Sequence, residues 1–281
     1  MRLLKWGVSI SSGLLVVLAL WAFCLEPSSL HNAAYRLSVS NWPVACAGFK
    51  IALLADLHVG SPFNGLSKLD QIVQLTNAAN PDLVVLAGDY VIHGVLGGTF
   101  VDPERIAASL ARLQARVGVY AVLGNHDWWY DARRIQRAFE QHSISVLENQ
   151  AVEIKHDACR FWLVGIGDYT EQRHRVDRAL VTVPSERSVV AVTHNPDLFP
   201  DLPQRVTLTL AGHTHGGQVN LPWLGRLVVP SRYGQRYAIG HIVERRQHLF
   251  VTPGLGTSIL PVRFRVPPEV TLLQLIPAQE A

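Results

Sequence analysis

The sequence predicts an α/β sandwich, with helices packed on sheets, preceded by one membrane-spanning helix. Three observations carry that prediction. From about Phe49 onward short apolar runs alternate with helix-period patterns, and strand signals dominate the second half of the chain. The first 25 residues hold an uninterrupted apolar run. Of the 281 residues 48% are hydrophobic and 17% charged, against roughly 25% charged in an average soluble domain. A disordered chain is thereby excluded.

Trp6 to Leu25 are twenty consecutive uncharged positions between Lys5 and Glu26. At about 1.5 Å per helical residue they span the roughly 30 Å hydrocarbon core of a bilayer. Arg2 and Lys5 on the N-terminal flank place the N-terminus in the cytoplasm and the bulk of the chain outside it. That makes the protein a single-pass protein of the inner (plasma) membrane with an extracytoplasmic domain. The competing reading is a cleaved signal peptide, but Trp21-Ala22-Phe23-Cys24 offers no small-x-small cleavage site and Phe23 does not suit lipoprotein processing. The division is therefore 1–25 as anchor, 26–48 as connector and first strand, and 49–281 as the functional domain.

Within that domain Lys50 to Ala55, Leu83 to Ala87 and Val117 to Leu123 read as buried strands. Between the first two, Leu69, Ile72, Val73 and Thr76 mark one face of a helix that Ser67 could cap. Residues 103–116 predict a second helix with Pro103 in its first turn. Asp131 predicts the N-cap of a third, running through about Gln141, with Ala132, Ile135, Ala138 and Phe139 on one face. Strands follow at 160–166, 188–193, 206–211, 248–252 and 269–276.

The net charge is +3, and two of those charges, Arg2 and Lys5, precede the apolar run. The remainder is nearly neutral, which argues against a nucleic-acid partner. Residues 205–281 are locally different, with eight Arg, no Lys and three Glu, a composition suited to phosphate or an anionic lipid surface and equally to a hairpin packed on the sheet with solvated arginines. The three cysteines, Cys24, Cys46 and Cys159, form neither a disulfide framework nor a zinc-finger pattern. A Cys46–Cys159 pair is compatible with the count but nothing in the sequence supports it.

Five strand-like runs end in side chains that bind metals: Asp56-Leu57-His58, Gly88-Asp89, Gly124-Asn125-His126-Asp127, His194-Asn195 and Gly212-His213-Thr214-His215. Loops at the carboxyl ends of strands converge at one edge of an open α/β sheet. The donors are carboxylate, imidazole and amide oxygen with no thiolate, a set that suits Mn, Fe or Zn.

In that order and spacing the five blocks resemble the calcineurin-like metallophosphoesterase superfamily. The fuller strings Gly88-Asp89-Tyr90-Val91, Asn125-His126-Asp127-Trp128-Trp129, His194-Asn195-Pro196-Asp197, Gly212 to Val219 and Gly254-Leu255-Gly256-Thr257-Ser258 resemble its bacterial membrane-associated phosphodiesterase branch. The resemblance implies an αββα sandwich of two mixed sheets, the metallo-dependent phosphatase fold, with residues 49–281 as the catalytic domain. It implies two divalent ions, one held by Asp56, His58, Asp89 and His215, the other by Asp89, Asn125, His194 and His213, with Asp89 shared. Such a pair polarises a phosphoryl oxygen and ionises a bridging water. His126 would then protonate the leaving oxygen or stabilise its charge. The implied function is hydrolysis of phosphodiester or pyrophosphate bonds, with a lipid-linked or cell-envelope phosphoester as one substrate class. A phosphomonoesterase and a non-catalytic membrane-tethered metal- and phosphate-binding protein are the alternatives.

One block departs from the phosphoprotein phosphatases. There it reads Gly-Asp-x-Val-Asp-Arg-Gly, whereas Ile92 and His93 stand here in place of Asp and Arg. A protein-phosphatase activity is disfavoured, and His126 is left without a named partner, because Asp127 beside it should point elsewhere. Trp128 and Trp129 read as packing residues, Asp168 as a strand-end turn residue, and His93 as a neighbour of the site. The remaining histidines, His31, His142, His156, His174, His241 and His248, read as surface or loop residues.

Overall fold

The computed structural model describes residues 13–278. Twelve strands are assigned: β1 (His31–Val39), β2 (Phe49–Leu54), β3 (Leu83–Ala87), β4 (Val119–Val122), β5 (Ser145–Val146), β6 (Gln150–His156), β7 (Cys159–Gly165), β8 (Val189–Val192), β9 (Val206–Ala211), β10 (Gly240–Glu244), β11 (Gln247–Val251) and β12 (Glu269–Pro277). They form two six-stranded sheets in the orders β1-β12-β2-β3-β4-β5 and β10-β11-β9-β8-β7-β6. Both sheets are mixed. Strands β2 to β5 are parallel with β12 antiparallel to β2, and β7, β8, β9 and β11 are parallel with β6 and β10 antiparallel at the edges.

Side-chain alternation along the strands explains the layering. In the first sheet Ile51, Leu53, Leu83 and Val85 face Phe161, Leu163, Val190 and Leu208 of the second, forming the central core between the sheets. Ala52, Leu54, Val84 and Leu86 point the other way, onto helices α1 (Leu66–Ala78), α2 (Pro103–Leu110) and α4 (Ala132–Glu140), which present Leu69, Ile72, Ile106 and Phe139. The outer face of the second sheet, with Val164, Val189 and Ala191, is covered by Ala179 and Leu180 of α5 (Val176–Leu180) and by Leu198 and Phe199. The order is helix, sheet, sheet, helix, as the motifs implied.

Several local expectations need correction. Ser67 lies inside α1, whose N-cap is Gly65. The second helix ends at Leu110 rather than at residue 116, because the chain must turn for the Val117 N–H to donate to Asp82 O (2.9 Å) and enter β4. His248 is buried in β11 and shares a hydrogen bond with His241 at 2.9 Å, so it is not a surface residue. Short or weakly patterned segments give no legible signal in the sequence: β5, β6, β10, the five-residue α5, and the six-residue helix α3 (Asn125–Tyr130). The Asp131 cap is present, accepting from the Arg134 N–H at 3.0 Å.

Residues 13–20 are helical and continue through Trp21–Leu25 and Glu26–Ser28. Among the described residues no helix is long and apolar enough to cross a membrane. The first part of the Trp6 to Leu25 run lies outside them. The described part exposes Leu14, Leu15, Val16 and Val17.

Cys46 and Cys159 form a disulfide across 113 residues, tying the turn before β2 to β7 and thus one sheet to the other. Closing so long a loop removes much denatured-state entropy, so Cys46→Ser should cost about 2–5 kcal/mol. Thermal unfolding with and without reductant measures this, and coincident melting curves would show that the bond does not contribute.

Candidate metal centre

Each site residue lies just past the carboxyl end of a strand. Asp56 and His58 follow β2, Asp89 follows β3, Asn125 and His126 open α3 after β4, His194 follows β8, and His213 and His215 follow β9. Because these strands run parallel within each sheet, their ends meet at one edge. Asp56 donates its N–H to Gly88 O (2.9 Å), and His58 donates its N–H to Asp89 O (3.0 Å), so the first two loops travel together. Five of these residues adopt left-handed backbone: Asp56 (φ 51°), His58 (37°), Asp89 (58°), His213 (69°) and His215 (50°). Asp and His tolerate that region better than most residues, yet each instance still costs of order 1 kcal/mol. Gly124 makes the close approach possible, since a Cβ there would lie 2.2 Å from Asp89 Oδ1.

The donor atoms converge on two points that share Asp89. Its Oδ1 accepts from the His126 N–H (2.9 Å). Its Oδ2 lies 3.5 Å from His58 Nε2 on one side and 3.2 Å from His194 Nε2 on the other. On the first side His215 Nε2 is 3.2 Å from His58 Nε2 and 3.5 Å from Asp56 Oδ1. On the second, His213 Nδ1 is 3.1 Å from His194 Nε2. Ligand atoms of Asp56, His58 and His215 lie within 4.8 Å of one another, as do those of Asp89, His194 and His213, and those of His58, Asp89 and His126.

The tautomers test whether these groups fit a cation. His58 Nδ1 donates to Val91 O (3.2 Å) and His194 Nδ1 donates to Ala87 O (2.7 Å). In the neutral His58 ring the proton is spent on a carbonyl, and Nε2 is left as a lone pair facing His215 Nε2. His194 differs, since the Asp89 carboxylate, working against burial, holds it well above its ordinary value. Burial pushes His58 and His213 down to about 3 and His215 well below its ordinary value, so these rings are neutral. Burial also pushes the Asp56 carboxyl up to about 7. Asn125 Oδ1 is buried without a partner. Facing lone pairs and an orphaned amide oxygen are costly unless a positive ion accepts from all of them. The donor set, imidazole and oxygen without sulfur, fits a divalent transition metal.

Asp127 performs a task its neighbour does not. Its Oδ2 accepts from the N–H groups of Asp89 (2.8 Å) and Gly124 (2.9 Å), and its Oδ1 from Tyr90 N–H (2.9 Å). It therefore clamps the loops after β3 and β4 together and faces away from His126, as adjacency in sequence predicted.

A family model, calcineurin-like phosphoesterase, matches residues 49–217, more than half of the chain. The chain belongs to the calcineurin-like phosphoesterase family. It is 28% identical over 261 residues to the metallophosphoesterase YkuE of Bacillus subtilis, covering 91% of this chain and 88% of the relative. It is 33% identical over 259 residues to the phosphodiesterase YaeI of Escherichia coli, covering 89% and 90%. A third relative is UDP-2,3-diacylglucosamine pyrophosphatase LpxG of Chlamydia trachomatis, 26% identical, with 96% of this chain and 98% of that one aligned. This calcineurin-like phosphoesterase is a metal-dependent phosphoester hydrolase.

Its ligand atoms open into a cavity of about 400 Å³ whose lining includes Asp89, Asn125, His126 and His213, with Trp129, Val228 and Ile259 among the walls. Trp129, read from sequence as packing, is 47% exposed, lies with its ring tilted 46° at 4.6 Å from His126, and donates its indole N–H to Glu171 (2.8 Å). Trp128 does pack, beneath the Arg173 guanidinium at 4.5 Å. His93 borders the cavity with its ring 6.1 Å from His126. Asp168 is fully buried, accepts from Glu171 N–H (2.7 Å), and is not among the cavity's lining residues.

Arg263 was not singled out by the sequence. It is fully buried and donates to Pro253 O, Gly256 O and Val266 O. That fan of bonds holds the loop whose Gly254 (φ +72°) passes so close to Asp56 that a Cβ would sit 2.7 Å from the aspartate Cβ. The Gly254-x-Gly256 string was the available signal for this loop.

Proposed function

We propose that this chain is a membrane-anchored phosphodiesterase or pyrophosphatase with two divalent ions, acting on a lipid-linked or cell-envelope phosphoester. The observation that carries the two-ion reading is Asp89. One carboxylate oxygen is fixed by the His126 N–H while the other sits between His58 Nε2 and His194 Nε2. Asp56, His58, Asp89 and His215 would hold one ion, and Asp89, Asn125, His194 and His213 the other. Bound there, the ions supply Lewis-acid polarisation of phosphate and a water acidic enough to attack at neutral pH. The residues themselves fix the ligand atoms, bury them, and place the His126 imidazole at the cavity wall, where it delivers a proton to the departing oxygen.

Two observations support an amphiphilic substrate. The walls beyond the ligands include Val228, Pro230 and Ile259, which match an apolar group next to phosphate. LpxG, a pyrophosphatase whose named substrate carries two acyl groups, aligns over nearly its whole length. A screen of the full chain in detergent, loaded with Mn, Fe or Zn, over diesters, monoesters and lipid pyrophosphates tests the reading. Preferential turnover of monoesters would overturn it.

The anchor is supported by the exposed apolar helix, and the extracytoplasmic side by Arg2, Lys5 and a disulfide of the kind that persists in oxidising compartments. An alkaline phosphatase reporter fused after Ala281 should be active, and the protein should stay in membranes after a carbonate wash. An inactive reporter reverses the orientation, and release by carbonate removes the anchor.

A further inference from the structure

We propose that the mouth of the cavity lies on the bilayer itself, with the hairpin at 221–228 and the neighbouring Ile259 and Leu260 docked into the lipid head groups. This rests on reading Trp6 to Leu25 as a membrane span and the cavity as a phosphoesterase site.

The geometry starts from the N-terminal helix. The Arg263 N–H donates to Ala22 O (2.9 Å), and the Val266 N–H donates to Glu26 Oε1 (2.6 Å). The other Glu26 oxygen accepts from the Trp21 indole N–H (2.6 Å). The helix end is thus bonded directly to the loop after Leu260. Ala22 lies three residues, less than one helical turn, before the end of the apolar run. If that run crosses the membrane, the backbone at Arg263 sits at the level of the lipid head groups.

The hairpin is joined to the same loop. The Phe264 N–H donates to Gln218 O (2.9 Å), the Asn220 N–H donates to Phe264 O (2.9 Å), and Gln218 Nε2 donates to Ser258 O (3.2 Å). Leu221 and Gly225 then exchange backbone bonds and close the turn. Trp223 at its tip is 103% exposed, and Leu224, Leu227, Val228, Ile259 and Leu260 are exposed with it. Isolated exposed apolar residues are ordinary, but a set this large on adjoining loops marks an interaction surface.

Charge favours lipid as the occupant. No acidic residue lies between Asp201 and Glu244 or between Glu244 and Glu269; Arg265 is exposed, and so is Arg232, which pairs with Asp201 (3.4 Å). Cations flanking exposed Trp and Leu suit an anionic interface. Since Val228 and Ile259 also line the cavity, the surface that meets lipid is continuous with the wall of the site. A substrate with acyl chains could then present its phosphate without leaving the membrane.

The test uses the full chain in vesicles of phosphatidylcholine and phosphatidylglycerol. Trp223→Phe isolates the fluorescence of Trp223 by difference. That difference should be quenched by brominated phosphatidylcholine and shielded from aqueous iodide. Quenching by iodide with none by bromolipid would place the hairpin in water or against another protein and overturn the proposal. In a second arm the double variant Trp223→Asp with Leu227→Asp is assayed on two substrates. Turnover of a diacylglycerol p-nitrophenyl phosphodiester embedded in the bilayer should fall about tenfold or more, while soluble bis(p-nitrophenyl) phosphate is turned over within about twofold of normal. Equal losses on both would mean that the hairpin shapes the site, and no loss on either would mean that docking does not occur. If the wild-type chain hydrolyses neither diester, the diesterase reading fails while the quenching arm still decides the docking.

Discussion

Asp89→Asn should remove turnover by at least about 10³-fold, because several kcal/mol of charge stabilisation depend on the ions this carboxylate is proposed to share. The substitution is nearly isosteric. The amide oxygen can still accept from the His126 N–H, and the Asp89 backbone N–H still reaches Asp127. What changes is the second position, where an anionic oxygen 3.5 Å from His58 Nε2 and 3.2 Å from His194 Nε2 becomes a neutral amide. Bound metal, measured by elemental analysis, should fall from about two ions per chain to one or none, with the chain still folded. A chelator should produce the same loss in the unmodified chain and added metal should restore it. Undiminished turnover in metal-free protein would end the assignment of this edge as the active centre.

His126→Ala should separate chemistry from metal content. The imidazole packs 4.7 Å from the His58 ring and 4.6 Å from Trp129, its Nδ1 has no partner, and its Nε2 is 3.9 Å from Asp89 Oδ2. That last distance is longer than those of His58 and His194 to the same oxygen, which fits a group lining the cavity beside the ligands. With metal content near normal, turnover should fall about 10²–10⁴-fold, the usual contribution of a positioned acid. The loss should be far smaller on an aryl diester, since an aryl oxide departs with little need of a proton. Parallel loss of metal would make His126 a ligand. Equal impairment on alkyl and aryl substrates would make it a stabiliser of charge rather than a proton donor.

The departure at Ile92 and His93 takes its meaning from the same neighbourhood. Where a second aspartate would orient the histidine, none among the described residues bonds His126 Nδ1, and the ring is instead held between His58, His93 and Trp129. Its position is set by packing rather than by a carboxylate.

Fold class and the strand-end placement of the candidate ligands were legible because both are local properties. Leu83 to Ala87 reads as a buried strand from its own five residues, and Asp89 as a ligand from standing just past it. Periodicity and strand-end position need no knowledge of the rest of the chain. The residues decided by tertiary structure share the opposite character. Cys46 and Cys159 meet across 113 residues, so no spacing rule singled out their pairing. Arg263 is buried because the carbonyls at Pro253, Gly256 and Val266 turn inward to meet its side chain and the far end of the chain, at Ala22 O, accepts its backbone N–H. Trp129 leaves the core because α3, a six-residue helix too short to carry a periodic signal, starts at Asn125 and turns the indole toward the cavity. The left-handed backbone at Asp56, His58, Asp89, His213 and His215 is held against its intrinsic cost by bonds such as His58 N–H to Asp89 O and His213 N–H to Asp56. Local sequence chose the chemistry of each candidate ligand, while contacts between remote loops aimed the side-chain atoms at common points, because direction is a property of the packed backbone.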